Sequence, residues 1–398
     1  MSNAPERFFA ICPHGLSGVL ADELQGERIG ATVVASSPTG VAFSGSLETA
    51  WRANLHSRVA TRILWQVASF PYKSEHDVYD AARLLAWTSW FPVSHTIKVE
   101  VSANRSPVKS LDFTALKVKD AVCDTFREIV GSRPNVARQE PDVRIHLHLE
   151  PAEAALYLDF SGEPLFKRGR RDHTGLAPLK KNLAAGILIL TGWDRKETLL
   201  DPMCGSGTFL VEAAEMALGI APGMSGGKPR EFGFEKLSNF DAARWKQLLD
   251  EARAAASPPR ELPIYGSDLF GDALKNARDN LAANGLAECV FLKQANAIEI
   301  SAPTPTGVWI TNPPYGDRLG EAEKLKELYP KLGDTLKQKF AGWRAYFFTG
   351  DMALAKLMRL SPSRKVPLFN GKIECRLLEY RMVAGSNRKE SAPAAPAA

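Results

Sequence analysis

The run Gly307-Val308-Trp309-Ile310-Thr311 breaks off in Asn312-Pro313-Pro314-Tyr315, and this stretch constrains the fold more than any other. Apolar, with β-branched residues and turn formers at its ends, it reads as a buried strand. Pro313 and Pro314 cannot donate to a ladder, so the strand has to stop at Asn312. A side-chain amide, free carbonyls and an aromatic ring are thereby gathered at a strand's carboxyl end, the edge at which open α/β sheets bind ligands. The Asn312 oxygen and the Pro313 carbonyl can both accept from one flat amino group. Tyr315 offers a face on which a base can stack, a contact worth roughly 1–3 kcal/mol. Asn-Pro alone is a common turn signal; the tetrapeptide closing an apolar strand favours a site.

A second candidate site lies upstream. Thr198-Leu199-Leu200-Asp201 enters the turn Pro202-Met203-Cys204-Gly205-Ser206-Gly207-Thr208, and a helix from Phe209 to Leu218 leaves it. Glycines there let a ligand approach the backbone at a helix N-terminus. Asp201 suits a cationic or hydroxyl-bearing ligand better than a phosphate. The turn has no P-loop lysine and lacks the third glycine of the dinucleotide fingerprint. Pro263 to Asp268 reads as a short strand ending in an acid, ahead of a helix from Gly271 to Asn284. Asp268 can take both hydroxyls of a ribose or cap that helix. A strand from Val290 to Leu292 leads to Asn296, and Leu325 to Phe340 reads as a helix after the Asn-Pro-Pro-Tyr strand. Arg344–Thr349 is a further strand and Met352–Leu360 a helix. Lys365–Phe369 and Ile373–Met382 flank Asn370-Gly371, a hairpin signal. This order fits one doubly wound parallel sheet with antiparallel last strands.

The N-terminal half reads as two smaller α+β units. The first has strands at Arg7–Cys12, Ala31–Ala35, Gly40–Phe43 and Arg62–Phe70, with helices over Leu16–Leu24 and Leu47–Leu55. The second, from Ser74 to about Asp159, runs helix, strand, helix, strand, strand. Its helix Ser110–Ile129 is amphipathic. Strict alternation over Val143–Leu149 puts Arg144, His146 and His148 on one face. His-x-His can bind metal, but no third ligand is near, and a solvated strand face is expected instead. Between the halves, Phe166-Lys167-Arg168-Gly169-Arg170-Arg171 holds four cations in five residues. The stretch is either a solvated linker or a phosphate clamp on RNA formed by Lys167, Arg168, Arg170 and Arg171, with Gly169 permitting close approach. Its position between the halves favours the clamp.

At 398 residues, 45% hydrophobic and 24% charged, the chain has the size and composition of a globular protein of two or three domains. The net charge of +5 permits a polyanionic partner without requiring one. Five scattered cysteines, none in a C-x-x-C pair, argue against a zinc knuckle or a disulfide framework and suit a reducing cytosol. No apolar run has the length of a membrane span, and no signal-peptide layout opens the sequence. A cytoplasmic protein with no metal and no membrane partner is expected. The tail from Gly385, rich in Ala, Pro and Ser, reads as disordered.

Asn312 to Tyr315 is similar to the catalytic motif of S-adenosylmethionine-dependent amino-group methyltransferases. The block before Ser161-Gly162 resembles the THUMP domain, an RNA-binding module, in its element order and in the lead-in Asn54-Leu55-x-x-Arg58-Val59-Ala60. Up to about residue 383 the chain resembles the THUMP-containing guanine 2-amino methyltransferases of large-subunit ribosomal RNA. Phe166 to Gly169, Ala177 to Lys180, Asp201 to Thr208, Asn312 to Leu319 and Leu368 to Cys375 carry the likeness. The resemblance implies a Rossmann-like seven-stranded class I methyltransferase domain preceded by an α+β, ferredoxin-like and THUMP, RNA-binding region. The expected layout is a ferredoxin-like domain over 1–70, THUMP over 71–162, the methyltransferase domain over 163–383 and a tail over 384–398.

The same resemblance implies that S-adenosylmethionine is held by Asp201, Pro202, Cys204, Gly205, Gly207, Thr208, Asp268, Asn296 and Asn312. Related enzymes usually carry Asp where this chain has Asn296; the amide oxygen can still accept from an adenine amino group. Asn312, Pro313, Pro314 and Tyr315 form the expected catalytic set. The guanine amino nitrogen attacks the sulfonium methyl in line, while Asn312 Oδ1 and the Pro313 carbonyl accept its protons and turn its lone pair. Tyr315 stacks on a base flipped out of its helix, and Asp317 and Arg318 shape the rim or form an ion pair. The implied partner is large-subunit ribosomal RNA or its precursor particle. Some family members carry a second, fused methyltransferase domain; this sequence ends before one, so only the first activity is expected. A transfer-RNA guanine methyltransferase shares these motifs, as does a DNA adenine methyltransferase, against which the THUMP-like block argues. A catalytically silent RNA-binding assembly factor is the reading from another class.

Overall fold

The computed structural model describes residues 5–170, 179–314 and 321–384. Two seven-stranded sheets account for its architecture. The first unit contains β1 (Glu6–Ile11), α1 (Ser17–Gln25), β2 (Thr32–Ser37), β3 (Gly40–Gly45), α2 (Leu47–His56) and β4 (Arg62–Pro71). The second contains α3 (Glu75–Arg83), α4 (Trp87–Trp90), β5 (Ile97–Ala103), α5 (Leu111–Val130), β6 (Val143–Leu149) and β7 (Glu153–Asp159). Capping boxes open α2 at Ser46 and α3 at Ser74, and Gly131 in the left-handed region closes α5.

These two units share one sheet. β4 pairs antiparallel with β7, giving the order β2-β3-β1-β4-β7-β6-β5. Alternation along β6 follows the sequence pattern, but its polar face is not simply solvated. Arg144 is buried and paired with Glu163 and Glu100, and His146 lies between Glu100 and Asp159. Opposite charges on the neighbouring strand and loop cover what alternation alone marks as open.

The second sheet begins after α6 (Lys181–Leu190). It comprises β8 (Leu199–Asp201), α7 (Thr208–Leu218), α8 (Ala242–Ala254), β9 (Ile264–Asp268), α9 (Gly271–Ala283), β10 (Phe291–Gln294) and β11 (Gly307–Thr311). It ends with α10 (Glu321–Lys339), β12 (Trp343–Thr349), α11 (Met352–Leu357), β13 (Arg364–Asn370) and β14 (Ile373–Arg381). The order is β10-β9-β8-β11-β12-β14-β13, parallel through β12 and antiparallel thereafter. It is the expected doubly wound, Rossmann-like sheet. β11 is buried at every residue because it lies between β8 and β12 with both faces covered. Asn370 pairs with Ile373, so Gly371-Lys372 form the two-residue turn, with Gly371 at φ 64°.

Residues 219–262 carry α8 and two 3₁₀ turns. Phe232 and Phe234 from this stretch stack, Trp245 meets both edge-on, and Phe234 packs on Trp51 of α2 and on Phe160, which follows β7. Short turns have no periodicity to read, yet they join the two halves. Among the described residues no helix is long and apolar enough to cross a membrane.

Candidate active site

Strand order reverses between the parallel neighbours β8 and β11: the path from β8 goes outward to β9 and β10, then returns to the other side. Ligands bind at the carboxyl ends of strands at such a switch point. Asp201 closes β8, and Asn312 follows the last residue of β11. Asp268 closes the neighbouring β9. The topology thus brings three residues far apart in sequence to one sheet edge.

The turn between β8 and α7 is held from three sides. Its Cys204 N–H donates to the Ser267 carbonyl at 3.0 Å, and Gly207 N–H to the Cys204 carbonyl at 2.8 Å. Asp268 Oδ2 accepts from Gly205 N–H at 2.9 Å while its Oδ1 accepts from Phe270 N–H at 3.0 Å. Each Asp268 oxygen has a further lone pair for a hydroxyl. From α9, Asn280 Nδ2 donates to the Ser206 carbonyl at 2.9 Å. Gly205 and Gly207 adopt φ of 53° and 78°, which L side chains avoid, and a Cβ at Gly205 would meet only open space. That open space, at the start of an eleven-residue helix, is where a ligand can lie against the backbone.

Electrostatics sharpen the site. Burial pushes the Asp201 carboxyl up to about 8; Met203 N–H pulls it down, the Asp268 charge adds to the rise, and the Thr311 hydroxyl opposes it. Burial drives the Cys204 thiol well above its usual range, with Asp201 and Asp268 adding to the effect, so it is no nucleophile at neutral pH. Asn312 Oδ1 is buried with no hydrogen-bond partner among the described residues, beside buried Pro313 and exposed Pro314. An orphaned acceptor at a strand end is costly unless a ligand donates to it. The acceptors, the open glycine turn and the ribose-ready carboxylate fit a nucleoside cofactor and an amino-group substrate together.

Asn296 stands beyond β10, half-buried; its Oδ1 accepts from Ile298 N–H at 3.3 Å and its Nδ2 donates to Glu299 at 3.4 Å. Pro202 and Thr208 lie at the two ends of the turn, Thr208 as the first residue of α7. Tyr315, Asp317, Arg318 and Arg171 are outside the described residues, as is the tail from Gly385. Two features escape motif reading. Leu269 and Phe270, 52% and 69% exposed, follow Asp268 and offer apolar surface beside the carboxylate. Asn280 braces the turn from a distant helix. The paired large apolar residues after a strand-end acid were the available signal for the first; nothing local marked the second.

The cation stretch requires a correction. Arg168 is 3% exposed, donates from Nη2 to Glu212 Oε2 at 2.7 Å and from Nη1 to the Arg58 carbonyl at 2.8 Å. It is a structural ion pair, not part of a phosphate clamp. The reason is Glu212, buried on α7, whose charge needs a partner in the interior. A Cβ at Gly169 would fall 2.4 Å from Asn284 Oδ1, so its close approach is to the protein's own α9 side. Lys167 and Arg170 are exposed, Lys167 paired with Glu163 at 2.7 Å.

Comparison with known proteins identifies the domains. The RMKL-like methyltransferase domain matches residues 168–379, the THUMP domain residues 72–159 and the RlmL ferredoxin-like domain residues 7–64. A Ribosomal RNA large subunit methyltransferase K/L of Cellvibrio japonicus is 41% identical over 386 residues, covering 94% of this chain and 51% of its own length. One from Shewanella sp. strain MR-4 is 39% identical over 388 residues, covering 96% and 54%. The chain therefore spans about half the length of these curated relatives. The crystal structure of SMU.472 complexed with SAH superposes with a TM-score of 0.86 at 28% identity, covering 97% of this chain and all of that one. The chain belongs to the RMKL-like methyltransferase-domain family, whose cofactor is S-adenosylmethionine.

Proposed function

We propose that this chain methylates the exocyclic 2-amino group of a guanine in large-subunit (23S) ribosomal RNA, free or within a precursor particle, in the cytoplasm. The observation that carries the reading is the buried, unpartnered Oδ1 of Asn312 at the end of β11. An exocyclic amino group is a flat pair of donors whose lone pair is delocalised into the ring. Asn312 Oδ1 and the Pro313 carbonyl accept its two N–H groups and so rotate the lone pair out of conjugation. No strong base is needed, because the amine becomes acidic on alkylation. S-adenosylmethionine supplies an electrophilic methyl on a sulfonium. Asp268 would hold its ribose, the Gly205 turn its backbone-facing side, and Leu269 with Asn296 its base. Tyr315 is the proposed stacking partner of the guanine, and Lys167 and Arg170 are the cations left for phosphates. The names of the curated relatives support the ribosomal substrate, and the five free, buried cysteines suit a reducing compartment.

The test supplies tritiated cofactor with ribosomal RNA or transfer RNA from cells lacking the protein, followed by digestion to nucleosides. Label in 2-methylguanosine of large-subunit RNA, reduced about 10²-fold or more in Asn312→Ala through lost alignment, is the expected result. Label confined to transfer RNA would replace the substrate and keep the chemistry. Cofactor binding without label in either RNA would overturn the reading.

A further inference from the structure

The face of the N-terminal sheet that carries His146 and His148 holds a cavity of about 510 Å³. It lies across the β4–β7 pairing, so each unit supplies one part. Phe9, Ile11 and Leu64 come from the first unit, with Pro38 from the β2–β3 turn, while Tyr157 and His148 come from the second. Strand register places these side chains together: Phe9 is opposite Leu64, Tyr157 opposite His146, and His148 opposite Ser102. The Phe9 ring packs against Gly40, where a Cβ would fall 2.5 Å from both the ring and the Ala10 carbonyl oxygen, so only glycine admits the ring there.

One end of the cavity is apolar and aromatic; the other is a hydrogen-bonding rim. His148 Nδ1 is 2.8 Å from Ser102 Oγ, its Nε2 is 3.0 Å from Glu150 Oε1, and Asn104 Nδ2 donates to Glu150 Oε2 at 3.0 Å. This pairing of ring faces with an ordered polar edge suits a planar heteroaromatic group. The lining carries no Lys or Arg and one carboxylate, Glu150, which disfavours a phosphate as the occupant; Glu100 and Asp159 beside His146 are already paired with Lys98, Arg144 and Arg62. The Glu150 carboxylate repels the RNA backbone but can accept from the N–H groups of a base.

We infer that this cavity binds an unpaired nucleobase of the RNA, as a second binding site formed only where the two N-terminal units join. The inference rests on the RNA reading of the function above. It implies that the substrate presents a single-stranded nucleotide to the N-terminal sheet as well as a guanine to the methyl-transfer site.

The test measures binding of the full chain to a labelled short single-stranded RNA and to the duplex of the same sequence, over a range of salt. Phe9→Leu keeps apolar volume and removes the ring; His148→Ala alters a side chain that is 41% exposed. Each is expected to weaken single-strand binding on the order of tenfold. Duplex binding, affinity for S-adenosylhomocysteine and melting temperature should stay in place. The salt slope should not change, because a base contact releases no counterions. Single-strand affinity within about twofold of the parent in both variants, with methylation of ribosomal RNA intact, would overturn the cavity and leave the function standing. A shallower salt slope would also overturn it, by showing a phosphate contact. A parent chain that binds neither RNA would overturn both readings.

Discussion

Arg168 and Glu212 meet at 2.7 Å with neither side chain more than 1% exposed, joining the segment between the halves to the helix that leaves the Gly205 turn. Around them Arg58 lies 3.6 Å from both Glu212 and Glu215, and Lys181 Nζ donates to the Arg168 carbonyl at 2.7 Å. Burial drives the Glu212 carboxyl upward, but the charge and hydrogen bonds of Arg168, with Arg58 and Lys181, hold it below the usual range. Glu215 is raised, by burial first and then by Glu212.

Removing one member of such a pair leaves an uncompensated buried charge. Arg168→Ala should destabilise the protein by about 3–5 kcal/mol, read as a lower urea midpoint with unchanged slope. A loss below about 0.5 kcal/mol, the range of exposed side chains, would restore the phosphate-clamp reading.

Asp201 predicts an unusual pH response. An unfolded aspartate loses its proton near pH 4, whereas the folded one keeps it to about 8. The native state therefore binds more protons in that window, and this group's contribution makes stability fall as pH rises from about 4 to about 8. The slope it contributes is at most about 1.4 kcal/mol per pH unit. Asp201→Asn should remove that component from denaturation curves collected across the window; an unchanged pH profile would refute the assignment.

Asp268 supports the turn and faces the proposed ribose. Asp268→Ala should weaken S-adenosylhomocysteine binding about tenfold or more, since hydrogen bonds to a charged group contribute roughly 1.5–3 kcal/mol each. Calorimetric titration gives the answer directly. An unchanged dissociation constant would confine Asp268 to bracing Gly205.

Asn280 tests whether that brace matters by itself. Asn280→Ala leaves the Ser206 carbonyl without this donor and should cost about 1–3 kcal/mol of stability, with weaker cofactor binding as the turn loosens. Equal cofactor affinity in a folded variant would show that the turn keeps its shape without α9.

Most of the fold was readable because its signals are local. Apolar runs with turn formers marked β8, β9 and β11, and Asn370-Gly371 marked the last hairpin. Asp201, Asp268 and Asn312 could be read as strand-end residues for the same reason. The remainder depends on long-range partners. Arg168 looked like a surface cation because Glu212, which buries it, lies far along the chain on another element. Asn280 reaches the Ser206 carbonyl from α9, more than seventy residues further along the chain and outside any motif. The polar face of β6 alternates as a solvated strand does, but Glu100, Asp159 and Glu163 cover much of it. Pairwise electrostatics across elements leave no periodic trace.

The β4–β7 ladder has a consequence for any attempt to divide the molecule. Seven residue pairs zip the two N-terminal units edge to edge. Cutting the chain after β4 would bare the open rungs of a ten-residue strand, a template for self-association. The halves of that sheet should thus melt as one cooperative block, and a fragment ending at β4 should aggregate where one ending after β7 stays in solution.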